Sequence, residues 1–101
     1  MKPLSLRETH GLLAYDTEKA TLLAGDDWWD GHNYERRGRN RFLYRSPAGR
    51  YFLQHRTAWQ GEQARLEPIT EAEALFLYSE ELTERRVGFE VAFPTQTVQE
   101  A

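Results

Sequence analysis

The sequence predicts an α+β domain: an antiparallel β-sheet, built from two hairpins or a meander, with one α-helix from the C-terminal half packed on one face. Three observations carry this. Two aromatic-rich runs flank the turn "SPAG". Thr70 precedes Glu73 by three residues at the head of a run with helical apolar spacing. Neither side of the central hairpin is cleanly polar, so both of its faces need cover, and a helix supplies one.

The elements follow in chain order. Residues 12–15 and 20–24 are short apolar runs separated by "DTEK", in which Asp16 and Thr17 can bond nearby backbone. This spacing predicts a first hairpin between the two runs. Residues 41–45 and 51–55 flank the second turn, where Pro47 presets φ and Gly49 accepts a left-handed conformation. Counting outward from Ser46 opposite Arg50, Tyr44 faces Phe52 and Phe42 faces Gln54 on one side. Leu43 faces Leu53 on the other, with Arg45 beside Tyr51 and Arg41 beside His55. Residues 56–59 extend that strand, "QGEQ" turns the chain, and residues 64–67 form a third strand that Pro68 ends.

Thr70 and Glu73 form a capping box, each side chain positioned to satisfy the other's backbone N–H. The helix is expected over residues 71–85, with Ala72, Leu75, Phe76, Ser79 and Leu82 on its core face. Arg85 and Arg86 would then sit in the last turn, where cations suit the helix dipole. Ala74, Leu77 and Tyr78 form a second apolar stripe, either a homodimer surface or a face covered by the curling sheet. Val87, Phe89, Val91 and Phe93 alternate with Gly88, Glu90 and Ala92, so a final strand is expected before Pro94. Residues 95–101 read as a frayed tail of a single domain spanning 1–101.

"YDTEKA" at 15–20, "FLYRSPAGRYFL" at 42–53 and "EPITEAEALFLYSE" at 67–80 together resemble small uncharacterised bacterial proteins of mobile elements and phage. The resemblance implies a small bacterial accessory domain of hairpins and a capped helix. It brings no activity and no catalytic residue. The stretch "DDWWDGHNYERRGRN" lies outside the shared pattern.

Composition narrows the function classes. No cysteine is present, which excludes disulfides and thiolate metal sites. The N-terminal residues lack a signal-peptide layout, and no apolar run approaches a membrane span, so a cytoplasmic protein without membrane contact is expected. The net charge is −3, but residues 34–56 hold seven arginines against Glu35 alone, a local +6 that leaves −9 on the remainder. A basic middle between acidic ends is the dominant electrostatic feature. The basic residues are eleven arginines and two lysines. Arginine pairs bidentately with carboxylate and phosphate and stacks on aromatic rings.

Residues 25–41, "GDDWWDGHNYERRGRNR", concentrate the candidate chemistry. Trp28 and Trp29 offer flat apolar faces to a ring or a protein partner, or one of them plugs the core while the acids solvate a loop. Asp26, Asp30 and His32 could ligate a divalent ion, but they lack the spacing of a known metal loop. Arg36, Arg37, Arg39 and Arg41 interleave with aromatics, as on sheets that hold single-stranded nucleic acid. The same cations could grip an acidic protein, or be neutralised by this chain's own aspartates. The −9 elsewhere in the chain weighs against phosphate polyanions. The binding residues expected are Trp28, Trp29, Arg36, Arg37, Arg39 and Arg41.

No cofactor is expected and no nucleophile elbow, P-loop or zinc motif occurs. The expectation is a small non-enzymatic binding or regulatory module. Its partner is an acidic macromolecule, protein in preference to nucleic acid. The alternative is a single-stranded nucleic-acid binder or a ribonuclease-like toxin, in which His55 and Glu67 act as base and acid while Arg41 and Arg56 hold phosphate.

Overall fold

A computed structural model describes residues 2–26 and 39–96. The strands are Arg7–His10 (β1), Leu13–Asp16 (β2), Thr21–Gly25 (β3), Arg39–Arg45 (β4), Tyr51–Thr57 (β5) and Arg65–Ile69 (β6). A short helix follows, Glu71–Phe76 (α1), which continues as a π turn over Leu77–Glu81. A two-residue strand Glu84–Arg85 (β7) and a helical turn Phe89–Ala92 (α2) complete the described chain. The main sheet is antiparallel in the order β6-β5-β4-β3-β7, and β1 with β2 forms a separate two-stranded sheet. The α+β class read from the sequence is the class observed. No helix among the described residues is long and apolar enough to cross a membrane.

The β4–β5 hairpin has the expected register, Arg41 opposite His55 through Arg45 opposite Tyr51. Ser46 closes it by donating its N–H to the Arg50 carbonyl at 2.7 Å, and Gly49 holds φ +86°. Its two faces feed two cores. Phe42, Tyr44 and Phe52 pack with Tyr15 and Leu66 under the β1–β2 sheet. Leu43, Tyr51 and Leu53 pack with Ala74, Leu77 and Tyr78 of the helix. Gln54 is fully buried on the first face, where its Oε1 accepts the Leu4 N–H at 2.9 Å and its amide donates to the Leu4 carbonyl.

Four expectations need correction. The first hairpin does not form between residues 12–15 and 20–24. β2 pairs instead with β1 through the two-residue loop Gly11–Leu12, with Gly11 at φ +66°, a primed turn that suits strand twist. "DTEK" is still a turn, with the Asp16 carboxylate accepting the Glu18 N–H at 2.9 Å. It redirects the chain from the small sheet into β3, which pairs with β4 and β7. The strand β1, "RETH", is polar and gives no apolar alternation to read.

Pro68 does not end β6; it sits within the strand, opposite Phe52. β6 is an edge, where a missing N–H costs no ladder bond.

The helix is shorter than residues 71–85, and its core face is the other stripe. Ala74, Leu77, Tyr78 and Leu82 are buried, whereas Phe76 is 56% exposed. Tyr78 decides this, because its hydroxyl donates to the Val87 carbonyl at 2.8 Å and its ring meets Phe93 edge-on. The stripe read as a possible dimer surface is therefore filled from within the chain. At 3.6 residues per turn, Glu81 would fall two turns after Ala74 in the middle of that buried stripe. The Leu82 N–H bonds the Leu77 carbonyl at 2.7 Å, an i→i−5 bond. That wider turn brings Leu82 inward and moves the Glu81 carboxylate to the margin. Arg85 caps the end from outside the helix, donating to the Tyr78 and Ser79 carbonyls at 3.0 and 3.1 Å.

The final strand over residues 87–93 is instead the helical turn α2. Phe89 and Phe93, two apart in the alternating pattern's count, are also four apart, and their rings meet at 5.5 Å on one side. Tyr51 fixes this turn to the sheet: its hydroxyl donates to the Ala92 carbonyl at 2.8 Å. Thr95 and Gln96 donate to the Glu71 carboxylate at 3.0 and 2.8 Å.

Candidate functional site: a cationic cleft at the end of the sheet

Strand pleating builds the site. Residues in register on neighbouring antiparallel strands share a face, and the side recurs every second residue. Arg41, His55 and Arg65 thus form one row across β4, β5 and β6, with Arg39 opposite Thr57 one step further out. These residues lie on the same face as Leu43 and Leu53. The helix covers the leucines and stops, so the face changes from apolar core to exposed cations within one strand repeat.

A cleft of about 570 Å³ opens there. Its walls include Arg39, Arg41, Arg56 and Arg65 against two carboxylates, Asp26 and Glu62, with His55 and Thr57 between them. Arg56 is drawn partly to the opposite side, donating to the Lys2 carbonyl at 2.9 Å.

Asp26 organises the cleft floor. It is 3% exposed and stands one residue past β3. Its Oδ1 accepts the Arg41 N–H at 2.7 Å and the Asn40 amide at 3.2 Å, and its Oδ2 faces Arg41 Nε at 3.4 Å. Arg41 Nη1 also donates to Glu81 at 3.0 Å, the carboxylate that the π turn brings to the margin. Further out, Arg39 donates to Glu62 at 2.9 Å and lies 5.5 Å from the centre of the Trp59 ring. The Arg39 guanidinium and then the Thr57 hydroxyl, which donates at 2.6 Å, hold Glu62 below the usual carboxylate range.

Arg39 and Arg41 are therefore each held in place by acids that leave some of their donors unused; a guanidinium has five N–H groups. Internal neutralisation by the aspartates, one of the alternatives weighed from sequence, occurs in part through Asp26. No described residue makes an ion pair with Arg65, which is exposed at the end of the row.

His55 Nε2 lies 2.7 Å from Glu67 Oε1. The pair proposed from composition is thus a real contact, with His55 in the row of Arg41 and Arg65 and Glu67 on the same face one row further in, opposite Leu53. Its closeness changes its chemistry. A base and an acid that work on the two sides of one phosphate must leave room for it between them. Here the carboxylate is instead engaged by the imidazole and orients it.

Of the residues expected to bind, Arg39 and Arg41 meet in the cleft; Trp28, Trp29, Arg36 and Arg37 lie outside the described residues. So do Asp30 and His32 of the metal alternative, and among the described residues no group of three or more His, Asp or Glu side chains is arranged to hold a metal. Sequence reading missed Arg65, which register counting would have found had it been carried from β5 to the third strand. It also missed Glu62 and Glu81, whose roles depend on a turn and a π bulge with no local signature.

No family model matches the chain, and neither a curated protein nor a solved structure matches it.

Proposed function

We propose that this chain is a non-enzymatic binding module that holds an acidic segment of a protein partner in the cationic cleft. The observation that carries this reading is the row Arg41–His55–Arg65, with Arg39 beside it, at the uncovered end of an otherwise packed sheet face. Fixed guanidinium groups lose little side-chain freedom on binding a carboxylate, and bidentate geometry adds specificity. The carboxylates Asp26, Glu62 and Glu81 hold Arg39 and Arg41 in place and also limit the net field, which suits a short acidic motif more than a long polyanion. Trp28, Trp29, Arg36 and Arg37 belong to the same proposal on the sequence reading, as aromatic and cationic side chains suited to an acidic partner.

Anisotropy of a fluorescein-labelled glutamate-rich peptide tests it. Arg65→Glu is the variant of choice, since it removes no internal ion pair. Binding should weaken about tenfold or more: a charge pair at about 4 Å is worth roughly 4 kcal/mol at an effective dielectric constant of about 20, reversal changes its sign, and solvent and salt around an exposed side chain screen most of that change. An unchanged affinity would sink the proposal.

A second reading, metal-independent cleavage of RNA by His55, is favoured by the 2.7 Å His55–Glu67 contact beside two arginines. A quenched-fluorophore oligoribonucleotide incubated in chelator decides it. Cleavage that disappears in His55→Ala would replace the binding reading with an enzymatic one.

A further inference from the structure

A second hollow, of about 450 Å³, adjoins the cationic cleft. It lies between β6 and the helix and is walled by Leu53, Ile69, Phe76 and Leu77, with Ala72 on the helix side. Arg41 and His55 line both hollows. The two are therefore one groove with a cationic end and an apolar end, joined over the His55–Glu67 pair.

The apolar end has features that a solvated surface does not require. Phe76 is 56% exposed at its rim, and the neighbouring Ile69 is only partly covered. A single exposed apolar residue is ordinary, but here it edges a hollow continuous with a charged site. Two carboxylates also stand at this end. Glu67 is engaged with His55 at 2.7 Å, and Glu73 accepts from Thr70 at 3.1 Å. They repel a second anion, so an acidic group is directed to the arginine end and an uncharged one to this end. The same two carboxylates oppose a phosphodiester chain running the length of the groove.

We propose that the groove takes an extended peptide bearing an aspartate or glutamate with a large aliphatic or aromatic residue two to four positions away. The spacing comes from β6, where Arg65 and Ile69 are four residues apart on one face. At about 3.3 Å per residue, two to four residues of extended chain span roughly 7–13 Å, the reach between the two ends. The carboxylate meets Arg41 and Arg65; the apolar side chain enters between Phe76 and Ile69. This specificity rests on the acidic-partner reading above and adds the second determinant.

The test compares two fluorescein-labelled peptides by anisotropy at low salt. One carries glutamate in a glycine-serine background; the other adds a leucine two residues from the glutamate. The protein should bind the second about tenfold more tightly, the worth of one well-buried aliphatic side chain. Phe76→Ala should erase most of that difference and leave the affinity for the first peptide unchanged. Ala72→Trp, which fills the hollow from the helix surface, should do the same. Equal affinities in the unaltered protein would overturn the bipartite groove while sparing the acidic-partner reading. Phe76→Ala weakening both peptides alike would also overturn it. Failure of both peptides to bind would overturn the underlying reading itself. Tighter binding of an oligouridylate than of either peptide would overturn the peptide assignment in favour of nucleic acid.

Discussion

Asp26→Asn keeps the shape of a buried side chain and removes its charge. The amide oxygen can still accept from the Arg41 N–H and from Asn40, now as a neutral acceptor. The amide nitrogen takes the place of Oδ2 and points a donor at Arg41 Nε, formerly 3.4 Å from an acceptor. Charge-assisted bonds are worth about 1.5–3 kcal/mol and neutral ones about half that. Removing one partner of a fully buried ion pair costs about 3–5 kcal/mol. Arg41 is 32% exposed and its Nε contact is long at 3.4 Å, so the cost falls below the range for a fully buried pair. A loss of about 2 kcal/mol follows, or roughly 10 °C in the melting temperature of a domain this size. The effect on the cleft has the opposite sign. A carboxylate roughly 7 Å from a bound anion repels it by about 2 kcal/mol at an effective dielectric constant of about 20, and salt roughly halves that in an open site. The variant should therefore bind the glutamate-rich peptide about fivefold more tightly while melting earlier. Thermal melts by circular dichroism, and anisotropy well below both transitions, read the two quantities separately. An unchanged melting temperature would refute the anchoring role. Weaker binding in a folded variant would show that Asp26 helps hold the ligand instead of competing with it.

Two further predictions concern the frame and the rim. Thr70→Ala removes the side-chain acceptor of the Glu73 N–H, a 3.1 Å bond, and should lower stability by about 1 kcal/mol in thermal or urea unfolding. Because the folded-state pKa of Glu62 is lowered, its contribution is fully present above the unfolded-state value and is lost as pH falls through the lowered folded value. A carboxyl-carbon NMR titration should find its midpoint below the ordinary range, and Arg39→Ala should raise it, since Arg39 is the leading cause.

What was legible in the sequence was what neighbouring residues decide. "SPAG" sets the loop, the loop sets the β4–β5 register, and that register places Arg41 beside His55. The Thr70–Glu73 cap marks the helix start for the same local reason. Pairings between distant segments were not legible. The run at 20–24 is apolar enough to pair with its neighbour at 12–15, but it gains more by pairing with β4, where Leu23 and Ala24 are fully buried. The two apolar stripes of the helix are similar in the sequence; the Tyr78 hydroxyl and the Phe93 ring choose between them, and both partners come from chain beyond the helix. The alternation at 87–93 fits period two, yet a helical turn seats both Phe89 and Phe93 against Tyr78. Part of the site was visible in the same uneven way: Arg41 beside His55 from the hairpin register, Arg39 from the run of arginines and Glu67 from composition, but not the buried role of Asp26 or the reach of Glu81.

The most direct test of the central claim is a two-dimensional amide and arginine-side-chain NMR titration of the uniformly labelled protein with the glutamate-rich peptide. The account predicts saturable shifts concentrated on Arg39, Arg41, His55 and Arg65, with little change in the aromatic core around Phe42 and Phe52. Shifts confined to another surface, or none at low salt, would contradict it.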